Sequence, residues 1–325
     1  MRRSTKQAVA AVFLASTMPA LAQTPTAITL SGERLHPESV SISSDGHAYV
    51  GGMQGGVQRI SLKTRKVDQF VKSGDFASGS IFGVLADTVN GVLWACSNPD
   101  TPMSAKIAGA DPTSVLKGFD LKTGKGRYSL PLPGNKPMCN DMAVARDGTL
   151  YVTDTTNSHI LRFRKGATTL EDWHHDTAYA TGTGSGLDGI ALGGDGHLYV
   201  NNWQSNIMAR VEVKPDGSAG KTTLLTPSQP ITAPDGLRAI GGLRFVQAES
   251  RGKVTIVTVE GDKAQVEIVK EGLSSPTSAD LHDGTIWYVE AEFSYFFDPT
   301  KRDKTPPPFK LTPIAAPAAP HAHHH

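Results

Sequence analysis

The chain has almost no cysteine, with only Cys96 and Cys139 in 325 residues. That excludes a disulfide-built scaffold and a thiolate-rich zinc or iron–sulfur centre. The single pair either closes a loop in an oxidising compartment or stays as two buried thiols packed as small hydrophobes. Beyond residue 22 no apolar run is long enough to cross a bilayer, so no membrane span is expected. An excess of charge of one sign is also missing, since 32 basic side chains face 31 acidic ones. That balance gives no basic footprint for nucleic acid. There is no G-x-S-x-G elbow and no evident grouping of Ser, His and acid, so serine-based catalysis has no support.

One apolar run does occur, at the start. MRRSTK is a basic segment, AVAAVFLASTM an apolar one, and PALA ends in the small-x-small pattern that precedes cleavage. Residues 1–22 are therefore expected to be a signal peptide removed after Ala22, which exports the protein to a periplasm or beyond. Without Arg2, Arg3 and Lys6, 29 basic residues face 31 acidic ones.

Turn formers are abundant: 33 glycines and 21 prolines favour an all-β chain over a helix bundle. One skeleton then recurs. It reads PESVSISSDGHAYVGG at 37–52, FGVLADTVNGVLWACS at 82–97, CNDMAVARDGTLYVTD at 139–154 and LDGIALGGDGHLYVNN at 187–202. Looser copies are PDGLRAIGGLRFVQAE at 234–249 and PTSADLHDGTIWYVEA at 276–291. Each copy holds an alternating run, an Asp-Gly or Asn-Gly turn that accepts positive φ, and a return strand rich in aromatic and β-branched residues. Such a unit cannot bury both faces alone, so the copies must stack and close radially. The expected fold is an all-β, six-bladed β-propeller of four-stranded antiparallel blades around a central channel, spanning residues 23–298. The segment 26–31 is placed to supply the outer strand of the last blade. Residues 98–115 form a long loop suited to lidding one end. The tail 299–325 holds seven prolines and ends HAHHH, and is expected to be disordered.

The inner strands of a propeller line its channel, so equivalent heads converge. Counting 11 residues back from Tyr49, Trp94, Tyr151, Tyr199 and Trp287, and 10 back from Phe245, gives Glu38, Gly83, Asn140, Asp188, Pro276 and Asp235. Four of these six carry oxygen donors and none is basic. Carboxylates gathered in a narrow channel repel and resist desolvation, and a divalent cation resolves both costs. An all-oxygen set suits a hard ion, calcium first, with magnesium, manganese or zinc less favoured. Met138, Trp203 and Phe82 are candidate walls of an apolar pocket. His36, two residues before Glu38, is placed to reach the channel mouth.

The heads PES, CND, LDG and PDG, in this order and spacing, resemble the senescence-marker-protein, gluconolactonase and luciferin-regenerating-enzyme family, which includes regucalcin. The resemblance spans most of residues 33–297. It implies a six-bladed propeller with one catalytic divalent metal that hydrolyses lactones or related esters. It further implies Glu38, Asp188 and Asp235 as metal ligands, Asn140 as a substrate or additional metal contact, and Asp235 at the position of the general base. Asp188 stands where the family commonly has Asn. Met138 stands where sugar-lactone members have an Arg, which points away from polyhydroxylated substrates. The expected mechanism is metal-assisted hydrolysis in which Asp235 or Asp188 takes the proton from the attacking water and Asn140 orients a small-molecule lactone or ester. The competing expectation is a non-enzymatic propeller that binds a ligand or protein around a structural calcium ion.

Overall fold

The computed structural model describes residues 25–180 and 182–317. The expected signal peptide and the terminal histidines lie outside the described residues. Six antiparallel sheets form a ring, five of them four-stranded and the fifth blade extended by a short parallel strand, Thr226–Pro227. The inner strands are Pro37–Ile42, Ser80–Asp87, Cys139–Val144, Leu187–Leu192, Pro234–Ala239 and Pro276–His282. Each packs against the next, and the sixth returns to the first. The all-β propeller is thus the observed fold.

The aromatic residue of each return strand explains why the blades stack. Tyr49 packs with Ile81 and Leu93 of blade two, Trp94 with Leu150 and Phe163 of blade three, and Tyr151 with Leu187 and Val200 of blade four. Trp287 of the sixth blade closes the circuit against Val40 and Val50 of the first. Burying one such side chain contributes about 1.5–3 kcal/mol. Phe245 is the exception: its shorter hairpin reverses its facing, and it packs back onto Tyr199 with ring centroids 4.6 Å apart.

The ring closes in blade six. Ile28–Thr29 pairs with Lys310–Ala315, which pairs in turn with Thr285–Glu290. Arg65 donates to the carbonyls of Thr26 and Ala27, and Gln58 exchanges two hydrogen bonds with the backbone of Ser31. Segment 26–31 thus supplies the outer strand as expected. The disordered tail expected from 299 is corrected over the described residues. Phe309 and Leu311 are buried in the core between blades six and one, and residues 310–315 are the third strand of the last blade. Proline richness misled because most of these prolines lie in the excursion before the strand, where no ladder hydrogen bond is needed.

Cys96 and Cys139 form a disulfide, Cα–Cα 5.0 Å, between the second strand of blade two and the inner strand of blade three. It staples adjacent blades across a 43-residue separation. Replacing both by serine should cost about 2–4 kcal/mol of stability, read as a lower urea midpoint; an unchanged midpoint would show that the blade packing holds this seam unaided.

Candidate functional site

All six inner strands break register at their heads, between Pro37 and Ser39, Ile81 and Val84, Cys139 and Met142, Leu187 and Ile190, Pro234 and Leu237, and Pro276 and Ser278. A bulge frees a residue from the ladder and re-aims its side chain. The first residue inside each is Glu38, Phe82, Asn140, Asp188, Asp235 and Thr277. Two expected slots are therefore corrected: Phe82 replaces Gly83 and Thr277 replaces Pro276. The hairpin of blade two is longer than a fixed count allows. Gly83 has its own reason to be glycine, since a Cβ there would lie 2.1 Å from the Asn140 carbonyl oxygen of the next blade. Gly189 meets the Asp235 carbonyl oxygen in the same way, at 2.4 Å. The glycine after the slot lets neighbouring inner strands approach.

Glu38, Asn140, Asp188 and Asp235 share one cavity of about 840 Å³ at the end of the channel. Each is at least nine-tenths buried. Met138, Trp203 and Phe82 line the same cavity, as expected. His36 does not: it is fully buried, bonded through Nδ1 to the Ala291 carbonyl (2.8 Å) and edge-on to Phe296 and Phe309. Burial also holds its pKa below the usual imidazole value.

The second strands fix the site backbone. Thr153 Oγ1 donates to the Asp188 carbonyl (2.7 Å), and Asn201 Nδ2 to the Asp235 carbonyl (2.8 Å). Asn140 donates through Nδ2 to Asp188 Oδ2 (3.0 Å) and to Thr155 Oγ1 (2.8 Å). Both its amide hydrogens are thereby committed, and its oxygen remains for another donor. Asp235 Oδ1 accepts from the Gly236 amide at 3.0 Å. Asp188 Oδ1 is buried with no partner among the described residues.

Desolvation pushes Glu38, Asp188 and Asp235 well above the usual carboxylate range. Mutual repulsion adds to it: Asp188 acts on Glu38 and on Asp235, and Asp141 acts on all three. Below them lies a feature that the slot count missed. Arg238 Nη1 grips both oxygens of Asp141 (2.9 and 2.7 Å), while Nη2 donates to Ser39 Oγ (3.2 Å) and the Val84 carbonyl (3.0 Å). One guanidinium thus ties blades one, two, three and five together across the channel, and its charge opposes the rise in the Glu38 pKa. The available signal was a lone Arg in an inner strand, with an Asp beside Asn140.

The mouth is built by two long excursions. Residues 99–114, within the expected lid loop 98–115, contribute Met103; the segment before the last strand contributes Phe293 and Phe297, around the short helix Ser294–Phe297. Arg34 pins the second excursion by donating to the carbonyls of Tyr295, Arg302 and Lys304.

Three carboxylates, that of Asp188 with its buried Oδ1 unpartnered, and an amide oxygen match the needs of a hard cation and offer nothing soft. Among the described residues no three His, Cys, Asp or Glu side chains are already gathered around one ion position. Ligation of one ion by all three therefore requires these side chains to move together, with the cation offsetting their repulsion.

No family model and no curated protein sequence matches the chain. Many solved structures share its fold. A protein assigned as a gluconolactonase superposes with TM-score 0.64 at 14% identity, covering 91% of this chain and 93% of its own. A gluconolactonase from Xanthomonas campestris gives 0.59 at 14%, covering 80% and 84%. The PQQ-bound aldose sugar dehydrogenase of Streptomyces coelicolor gives 0.58 at 13%, covering 91% and 99%. At such identities the likeness shows the propeller alone, and that propeller hosts more than one chemistry.

Proposed function

We propose that the protein is a metal-dependent hydrolase that opens a lactone or related ester. The observation that carries this reading is the convergence of Glu38, Asp188, Asp235 and Asn140, from four blades, in one cavity that opens at its mouth. Glu38, Asp188 and Asp235 would hold the cation, calcium by donor chemistry, with the Asn140 oxygen as a further donor. When bound, the ion supplies Lewis acidity for the substrate carbonyl and lowers the pKa of water. Asp235 takes the proton from the attacking water. In the ion-free protein, burial and its acidic neighbours raise its pKa, the direction that favours taking up a proton. Asn140 sets the rotamer of Asp188 through its amide. The gluconolactonase neighbours support the reaction class, and the disulfide supports an exported, oxidising location for the chain.

A panel of lactones and aryl esters, each with calcium, magnesium, manganese or zinc, tests this reading. Turnover that needs an added cation is expected. A folded, cation-binding protein with no turnover would favour the ligand-binding alternative.

The same carboxylates predict a pH-dependent response to the ion. Their folded pKa values are raised, so their contribution to stability is intact below the unfolded carboxyl value of about 4 and is lost as pH rises through the folded values. The ion-free protein is therefore penalised near neutrality, where a cation relieves the repulsion. At about 100-fold excess over Kd, calcium should add about 2.7 kcal/mol at pH 7 and much less at pH 4.5, measured as a shift in Tm after chelation. An equal shift at both values would count against ligation by these groups.

A further inference from the structure

We infer that the cavity takes a substrate with an apolar body, an alkyl- or aryl-substituted lactone or ester rather than a polyol. This inference rests on the hydrolase reading for the reacting group alone. The cavity wall includes Met53, Phe82, Met103, Met138, Phe293 and Phe297, delivered from blades one, two and three and from both excursions. Thioethers and aromatic rings adapt to apolar groups and accept no hydroxyl hydrogen strongly.

Several polar side chains of the same cavity are already bonded within the protein. Thr155 Oγ1 donates to the Leu187 carbonyl (2.7 Å) and Ser250 Oγ to the Ala233 carbonyl (3.2 Å). Ser185 Oγ donates to Gln204 Oε1 (3.3 Å), and Ser274 Oγ to Glu292 Oε2 (3.0 Å). A polyol lying against the thioether and aromatic wall would surrender hydration there without a hydrogen bond in return. Sites that select hydroxylated substrates surround them with unpaired polar groups, whereas six thioether and aromatic side chains face this cavity. At about 840 Å³ the cavity also lies toward the upper end of the range for drug-sized ligands, roughly 300–1,000 Å³.

Half-buried Trp203 lines the cavity and reports occupancy directly. The test titrates the full chain, with and without calcium, with two non-hydrolysable lactams: one carrying a phenylalkyl substituent, the other polyhydroxylated. Quenching or enhancement of Trp203 emission, with Trp203→Phe as the control, should show the apolar lactam binding at least tenfold tighter. Met138→Arg and Phe297→Ala should each weaken it about tenfold, and Phe297→Ala provides an independent check if a buried guanidinium unfolds the first variant. Equal or tighter binding of the polyol, no saturable binding of either, or unchanged affinity in both variants overturns the inference. Binding of the apolar lactam with no hydrolysis across the ester panel would keep the ligand class and remove the hydrolase reading.

Discussion

Replacing Asp235 by alanine should lower hydrolysis by about 1,000-fold or more and leave the propeller folded. A positioned general base contributes about 10²–10⁴-fold, and the same change removes one anionic donor from the cation. Stability should move the other way. Asp235 is buried, repelled by Asp188 and Glu38, and held by a single backbone amide. Without the ion, the Asp235→Ala protein should therefore unfold at higher temperature than the parent at pH 7, and calcium should raise its Tm less. Opposite signs for activity and stability separate a functional carboxylate from a structural one. Retained turnover would remove Asp235 from the chemistry, and a lower ion-free Tm would make it structural.

The second large effect belongs to Arg238. Replacing it by methionine leaves Asp141 buried without its partner, beside carboxylates that already raise one another's pKa values. Breaking a buried pair from one side costs about 3–5 kcal/mol, and the upper end applies here because Glu38 and Asp280 also feel this guanidinium. Chemical denaturation should show the loss. Adding Asp141→Leu to Arg238→Met should recover most of it, since both charges then leave together. Failure of that recovery would shift the role of Arg238 to its hydrogen bonds with Ser39 and the Val84 carbonyl.

Period-two runs, Asp-Gly turns and a repeating skeleton were enough to read the propeller, because blade geometry is local in sequence. Glu38, Asn140 and Asp188 were legible because their blades keep one hairpin length, and Asp235 because its PDG head shows the one-residue deficit. Blade two does not, and there counting fell on Gly83 while the side chain facing the cavity is Phe82. The Arg238–Asp141 pair was invisible for a different reason: residues 97 apart in sequence meet only once the ring is closed. The aromatic mouth, Phe293 and Phe297, lies after the last repeat of the skeleton, where no blade register pointed to it. Its order comes from Arg34 and the core around Phe309, and neither is a local signal.

The seam in blade six has a consequence for biosynthesis. Ile28 finds its ladder partner in Leu311, far later in the sequence. A nascent chain emerging from the ribosome can build blades one after another, but its circle stays open until Lys310–Ala315 has emerged. Bringing ends so distant in sequence together carries an entropic cost that precedes any reward from pairing. A chain stopped before residue 310 would leave Trp287 and Val289 without a cover, and would be marked for aggregation or proteolysis.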